Sequence, residues 1–166
     1  MNDLHARPLL AAALAAAVLA SGCAAPAEGQ KAPPVQGTAW ITPPGKYEFA
    51  ERYPVRDHWT LILFFRPDPE ACASVMPRAL ELLAAYAPRG LVAVGVTTLD
   101  REETEPFVRN YPIPFPVLAR AQSVVNAYGI PRLDPAHAYL VDPEGVVVVQ
   151  DDLAKTADIL DRHLKK

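Results

Sequence analysis

Residues 59–77 read WTLILFFRPDPEACASVMP, and this stretch decides the fold. The first seven residues form a continuous apolar run, which is typical of a central strand buried on both faces of a sheet. Arg66-Pro67-Asp68-Pro69 ends the run, and apolar residues at helical spacing follow it. We therefore predict a helix over about 70–86, kinked at Pro77. A strand, a loop and a helix in this order begin an α/β domain.

The same alternation of strand and helix continues to the end of the chain. Asp100 and Asp152 are the expected caps of two later helices. The predicted strands are 91–97, a short one near 118, 139–141 and 146–150, and the predicted helices are 101–110, 122–128 and 153–164. A small hairpin is predicted over 39–49, before the first long strand. Two parallel β-α-β units, a hairpin and a closing helix predict a central mixed β-sheet flanked by helices on both faces.

Residues 1–22 are predicted to be a lipoprotein signal peptide. A short polar start precedes an apolar run over 8–20, which is shorter than the about 20 residues needed to span a bilayer. The run ends in Leu19-Ala20-Ser21-Gly22-Cys23, which resembles the lipobox of bacterial lipoproteins. The resemblance implies that Cys23 is lipidated and becomes the new N-terminus. The alternative is an ordinary cleaved signal peptide, with Cys23 incidental.

The rest of the chain divides into two parts. Residues 23–38 are rich in Ala, Pro, Gly and Gln, which predicts a flexible tether, and residues 39–166 form one globular domain. Lipidation at Cys23 would anchor the domain in the bacterial cell envelope, in the periplasm or another extracytoplasmic space. With a net charge of −3 and no basic cluster, the chain is not expected to bind nucleic acid.

Five short motifs carry a family resemblance. They are Leu61-Ile62-Leu63-Phe64-Phe65, Cys72 followed by Met76-Pro77, Phe115-Pro116-Val117-Leu118, Ala127-Tyr128-Gly129-Ile130, and Tyr139-Leu140-Val141-Asp142-Pro143-Glu144-Gly145. In this order they resemble the thioredoxin superfamily, and within it the TlpA/ResA-like, membrane-anchored thiol-disulfide oxidoreductases of the redoxin (AhpC/TSA-like) group. The resemblance implies a thioredoxin-like fold for residues 39–166.

The active-site motif departs from that family. The family carries Cys-x-x-Cys, whereas this chain has Pro-x-x-Cys, with Pro69 in the first position and Cys72 in the second. Because the first cysteine is the attacking thiolate, we expect no dithiol reductase cycle. The peroxiredoxin pattern Pro-x-x-x-Thr-x-x-Cys is also missing, so peroxidase activity is not expected. The family's partner proline, normally cis and facing the thiols, corresponds to Pro135, although its spacing to Tyr139 is one residue longer than usual.

Cys72 would be the only free thiol of a chain lipidated at Cys23. It is either a monothiol that forms mixed disulfides or a buried residue that packs as a small hydrophobe. The resemblance places the loop of His137 opposite the start of the first helix, so His137 is a candidate to activate the thiol or to hold copper with it. The ligand spacing of the Sco-type copper chaperones is absent, and no metal or other cofactor is predicted.

Two functions remain open from the sequence. One is thiol-disulfide exchange through Cys72 with a small thiol or an envelope protein. The other is a redox-inactive binding or scaffold module, which would hold an extended polypeptide between the 66–72 and 134–137 loops.

Overall fold

The computed structural model describes residues 25–43, 50–111 and 113–164. The strands are β1 (Val35–Gln36), β2 (Trp40–Ile41), β3 (Arg52–Tyr53), β4 (Trp59–Phe64), β5 (Leu91–Val96), β6 (Val117–Leu118), β7 (His137–Val141) and β8 (Val147–Gln150). The helices are α1 (Pro69–Cys72), α2 (Met76–Tyr86), α3 (Arg101–Asn110), α4 (Gln122–Ala127) and α5 (Leu153–His163), with a short 3-10 helix over Ala87–Arg89. None of the helices in these ranges is long and apolar enough to cross a bilayer.

Six of the strands form one mixed sheet, in the order β2-β6-β5-β4-β7-β8. The central strands β4, β5 and β6 are parallel, whereas β2, β7 and β8 are each antiparallel to their neighbours. All six residues of β4 are buried, as the apolar run predicted. The carboxyl ends of β4, β5 and β6 therefore meet at one edge, where α/β sheets carry their binding sites.

Alternate residues of the central strands face two separate cores. Leu61 and Leu63 pack with the buried faces of α2, α3 and α5, together with Cys72. Ile62 and Phe64 pack on the opposite side with α4 and the N-terminal strands. The sheet thus has helices on both faces, and this predicted arrangement is confirmed.

The helix predicted over 70–86 is two helices. α1 ends at Cys72 and α2 begins at Met76, so Pro77 lies in the first turn of α2 instead of kinking one long helix. Proline is well tolerated there, because the first turn of a helix leaves its backbone N–H groups without intrahelical partners.

The prediction of a flexible tether over 23–38 is wrong for residues 25–38. β1 pairs with β3 in a two-stranded sheet, and Val35 is fully buried. The chain before β1 binds the free edge of β8, where Gly29 N–H donates to Val147 O at 2.8 Å and Val147 N–H donates to Gln30 O at 2.8 Å. Composition rich in Ala and Pro indicated disorder, but backbone hydrogen bonds to a sheet edge need no large side chains.

Two sequence predictions fall partly or wholly on residues that the structure does not describe. The hairpin over 39–49 has its first strand in β2, which pairs with β6, but the rest of its predicted turn after Pro43 and its return strand lie in 44–49. The signal peptide over 1–22 and Cys23 also lie outside the described residues.

Candidate functional site

The loop after β4 builds the start of α1 around Asp68. The Asp68 Oδ1 accepts hydrogen bonds from the backbone N–H groups of Glu70 at 2.9 Å and Ala71 at 3.1 Å. These bonds satisfy two of the N–H groups that a helix leaves unpaired at its start. Pro69 is the first residue of α1 and is exposed, whereas Cys72 is the last. The two positions of the Pro-x-x-Cys motif therefore face different surroundings.

Cys72 is fully buried within the core formed by α2, α3 and α5. Its Sγ donates a hydrogen bond to the carbonyl oxygen of Arg66 at 3.3 Å, which occupies the thiol proton. Burial raises the pKa of the Cys72 thiol, a backbone hydrogen bond with Asp68 opposes that rise, and the charges of Asp68 and Asp134 add to it. Because only the thiolate is a good nucleophile, this environment keeps Cys72 in its unreactive form.

The loop of Pro135 lies against the loop that precedes α1. The Arg66 N–H donates to Leu133 O at 3.2 Å, and the charge of Asp134 acts on the Cys72 thiol. The Asp134–Pro135 peptide bond is cis, which is the conformation that the family resemblance implied, and Pro135 is exposed. The structure thus brings the 66–72 and 133–135 segments together, while a role for Pro135 in binding stays a prediction.

His137 pairs with Asp151 instead of with the Cys72 thiol. It is the first residue of β7, and its Nδ1 lies 2.9 Å from Asp151 Oδ2. The other carboxylate oxygen of Asp151 accepts the N–H of Ala138 at 2.9 Å, so this carboxylate holds the start of β7. Within the described residues, no group of three or more His, Cys, Asp or Glu side chains could hold a metal ion. His137 forms its hydrogen bond with Asp151 and not with the Cys72 thiol, so no hydrogen bond supports activation of Cys72 by His137.

Sequence reasoning missed a cleft of about 470 Å³ at the carboxyl ends of β4 and β5. Its lining residues are Arg66, Thr97, Thr98, Leu99, Gln122, Val125, Ile130, Pro131, Arg132, Leu133 and Asp134. Within the described ranges neither Arg66 nor Arg132 forms an ion pair, and the lining of the cleft thus includes two arginines and one acidic residue, Asp134. The order of parallel strands could have located the cleft, because their carboxyl ends share one edge.

Comparisons with known proteins agree with this architecture. The AhpC/TSA family matches residues 29–150. No curated protein matches the sequence. The thioredoxin domain of a thiol-disulfide oxidoreductase from Bacteroides vulgatus is similar in structure, with a TM-score of 0.66 and 20% identity, over 84% of this chain and 99% of that one.

Two further solved structures show the same fold. A putative thiol:disulfide interchange protein DsbE from Chlorobium tepidum has a TM-score of 0.61 and 19% identity, over 83% of this chain and 95% of its own. Mycobacterium tuberculosis AhpC has a TM-score of 0.66 and 15% identity, over 86% and 95% of the two chains. At these identities the likeness establishes the fold alone. The predicted thioredoxin-like fold is confirmed.

Proposed function

Because this chain belongs to the AhpC/TSA family of thioredoxin-fold proteins, we propose that it is a lipid-anchored envelope module that binds an extended polypeptide without dithiol chemistry. The observation that carries the proposal is the position of Cys72, the one free cysteine in the part of the chain that the structure describes. Cys72 is fully buried with its proton donated to Arg66 O, and the exposed position at the start of α1 holds Pro69, which has no thiol. The Pro-x-x-Cys motif thus keeps the helix and lacks the attacking group.

The binding surface in this proposal lies between the 66–72 and 134–137 loops. Arg66, Pro69 and Pro135 are exposed in these loops, and Arg66 and Asp134 also line the cleft that contains Arg132. An extended segment of an envelope protein is the partner that such a groove suits, because its backbone can hydrogen-bond along the loops. The arginines favour a partner segment with a carboxylate side chain.

A second candidate function is thiol exchange through Cys72 with a small thiol or an envelope protein. One observation favours it: α1 has only four residues and is separated from α2 by residues 73–75. Such a short helix has little cooperativity of its own, so local opening of α1 would expose the thiol more easily than global unfolding.

The rate of Cys72 alkylation separates the two functions. For a binding module we expect alkylation of the native protein to be slow at pH 7 and to rise with urea in parallel with global unfolding. Fast alkylation with an apparent pKa below about 7.5 would instead establish thiol chemistry. Cys72→Ala is the blank, and Pro69→Cys in the Cys72→Ala background is the matched positive control, because it places a single thiol at the exposed start of the same helix without allowing a disulfide to Cys72.

The lipid anchor is tested by a matched pair of substitutions. Cys23→Ser should release the protein from membranes, whereas Cys72→Ser should leave it bound, since only Cys23 lies in the lipobox sequence. Equal membrane retention of both variants would contradict the anchor and leave the binding proposal standing.

A further inference from the structure

Residues 25–36, here called the N-terminal strap, are bound to the domain along their length. Ala32 N–H donates to Gly145 O at 2.9 Å, the Tyr128 hydroxyl donates to Pro33 O at 2.8 Å, and β1 pairs with β3. These contacts supplement the two hydrogen bonds to Val147 described above. The strap therefore has a fixed course over the protein surface.

The first described residue of the strap lies against the end of α4. A Cβ atom on Gly129 would lie 2.6 Å from the backbone nitrogen of Ala25 and 2.8 Å from its Cα. Gly129 has φ +62° and so also needs glycine for its own conformation. Ala25 thus packs directly on the turn that follows α4.

Only Ala24 separates this contact from Cys23. Two residues of fully extended chain span at most about 7 Å. A flexible tether of the 16 residues 23–38 would instead have a root-mean-square length of about 20 Å and would leave the domain free to rotate. The domain itself is about 35 Å across, so a 7 Å link cannot let every face reach the membrane.

We propose that the turn after α4, residues 129–132, faces the phospholipid headgroups, and that the strap holds the domain there in one orientation. The inference rests on the proposed lipid anchor at Cys23. Arg132, an exposed cation in this turn, suits an anionic headgroup surface. The same turn forms one wall of the cleft with Arg66, so a partner segment entering the cleft would have to lie close to the membrane.

The test uses a short-range fluorescent label at two positions in the full-length, lipid-attached Cys72→Ala protein. Asn126→Cys places the label beside the turn, because the Asn126 carbonyl accepts the N–H of Gly129 at 2.9 Å. Glu81→Cys is the matched control on α2, which packs on the opposite face of the sheet and whose Glu81 is exposed. The vesicles carry lipids with a nitroxide quencher on the headgroup.

We expect quenching at position 126 to exceed that at position 81 several-fold. Insertion of ten Gly/Ser residues between Ala24 and Ala25 should reduce quenching at position 126 to the level at position 81. The insert adds about 17 Å of flexible chain and changes no residue of the strap or the domain. If Cys23→Ser releases the protein from membranes but quenching is equal at positions 126 and 81, the anchor stands and only this inference is overturned. Membrane retention of Cys23→Ser would instead contradict the anchor and, with it, the inference.

Discussion

At the scale of single residues, the surroundings of Cys72 decide what its thiol can do. In an exposed position at a helix start, backbone N–H groups would stabilise a thiolate. Cys72 is three residues further along, at the end of α1, where burial and the charges of Asp68 and Asp134 favour the neutral thiol. A difference of three positions in one motif therefore separates a nucleophile from a core residue.

The raised pKa of Cys72 predicts a loss of stability at alkaline pH. The unfolded chain releases the thiol proton near its ordinary pKa, about 8.5, while the native state retains it, so the unfolded state binds fewer protons and stability falls as pH rises. The contribution of Cys72 to the free energy of unfolding is fully present below the pKa of the unfolded chain. Above that pKa it is lost at up to about 1.4 kcal/mol per pH unit, until the native thiol itself ionises. Urea unfolding at pH 8, 9 and 10 measures this decline.

Cys72→Ala is the control for that measurement, because it should show a shallower decline between pH 8 and 9.5. Burial also raises the pKa of Tyr139 to about 12, and the charge of Asp151 adds to the effect. Tyrosine residues therefore contribute a further loss above about pH 10 in both proteins. Identical pH dependence of the two proteins below pH 9.5 would contradict the assignment to Cys72.

At the scale of elements, the Asp68 cap stabilises the start of the four-residue helix α1. Asp68→Ala should lower the free energy of unfolding by about 1 kcal/mol, because Glu70 and Ala71 lose their hydrogen-bond acceptor. Asp68→Asn keeps an acceptor and removes the charge, so it should preserve most of the stability. The urea midpoints of the two variants measure the cap.

The same two variants distinguish the effect of the Asp68 charge on the Cys72 thiol from the effect of α1 opening. Asp68→Asn should lower the thiol pKa slightly and leave native alkylation slow, since the sulfur stays buried. If the thiol is reached through local opening of α1, as thiol exchange requires, Asp68→Ala should speed native alkylation at pH 7 several-fold, because α1 opens more often. Equal alkylation rates in both variants would show that α1 does not cover the thiol.

The strap is joined to α4 through one buried hydroxyl. Tyr128→Phe should cost about 1–2 kcal/mol, because Pro33 O loses its donor at 2.8 Å. Tyr139→Phe is the control, since the Tyr139 hydroxyl reaches Tyr128 O only at 3.4 Å and a weaker bond is lost. Thermal unfolding checks the ranking, and a larger loss in Tyr139→Phe would contradict it.

At the scale of the whole molecule, the strap closes a sheet edge that would otherwise be open. Deletion of residues 25–36 should lower the unfolding midpoint and promote association, because the outer edge of β8 loses its backbone partners in the strap and the core loses Val35. A flexible tether could be removed without either effect. Thermal unfolding and light scattering measure both outcomes.

Glu28→Ala is the matched control for the deletion. It removes only the exposed ion pair with Lys155, whose Nζ lies 2.8 Å from the carboxylate. Exposed pairs of this kind contribute little, so its stability should stay within about 0.5 kcal/mol of the native chain. If Glu28→Ala lowers stability as much as the deletion does, the stabilising effect of the strap comes from this one ion pair.

Sequence reasoning succeeded where the signal is local. The helix over Arg101–Asn110 begins after Asp100, whose cap with Glu103 is readable from their spacing, and it has the predicted bounds. It failed at the break between α1 and α2, because Ala73 has the highest helix propensity of any residue and gives no local signal that the helix ends there. The cleft with Arg66 and Arg132 was also missed, since residues 66 positions apart meet only through the sheet.

The sequence by itself determined the order of strands and helices from β4 to α5, apart from the break between α1 and α2, since each depends on hydrophobic periodicity and caps within a few neighbouring residues. Only the tertiary structure decided that Cys72 is buried, that His137 pairs with Asp151, and that residues 25–36 are bound to the β8 edge. Burial, pKa and edge pairing depend on groups distant along the chain, so no local pattern specifies them.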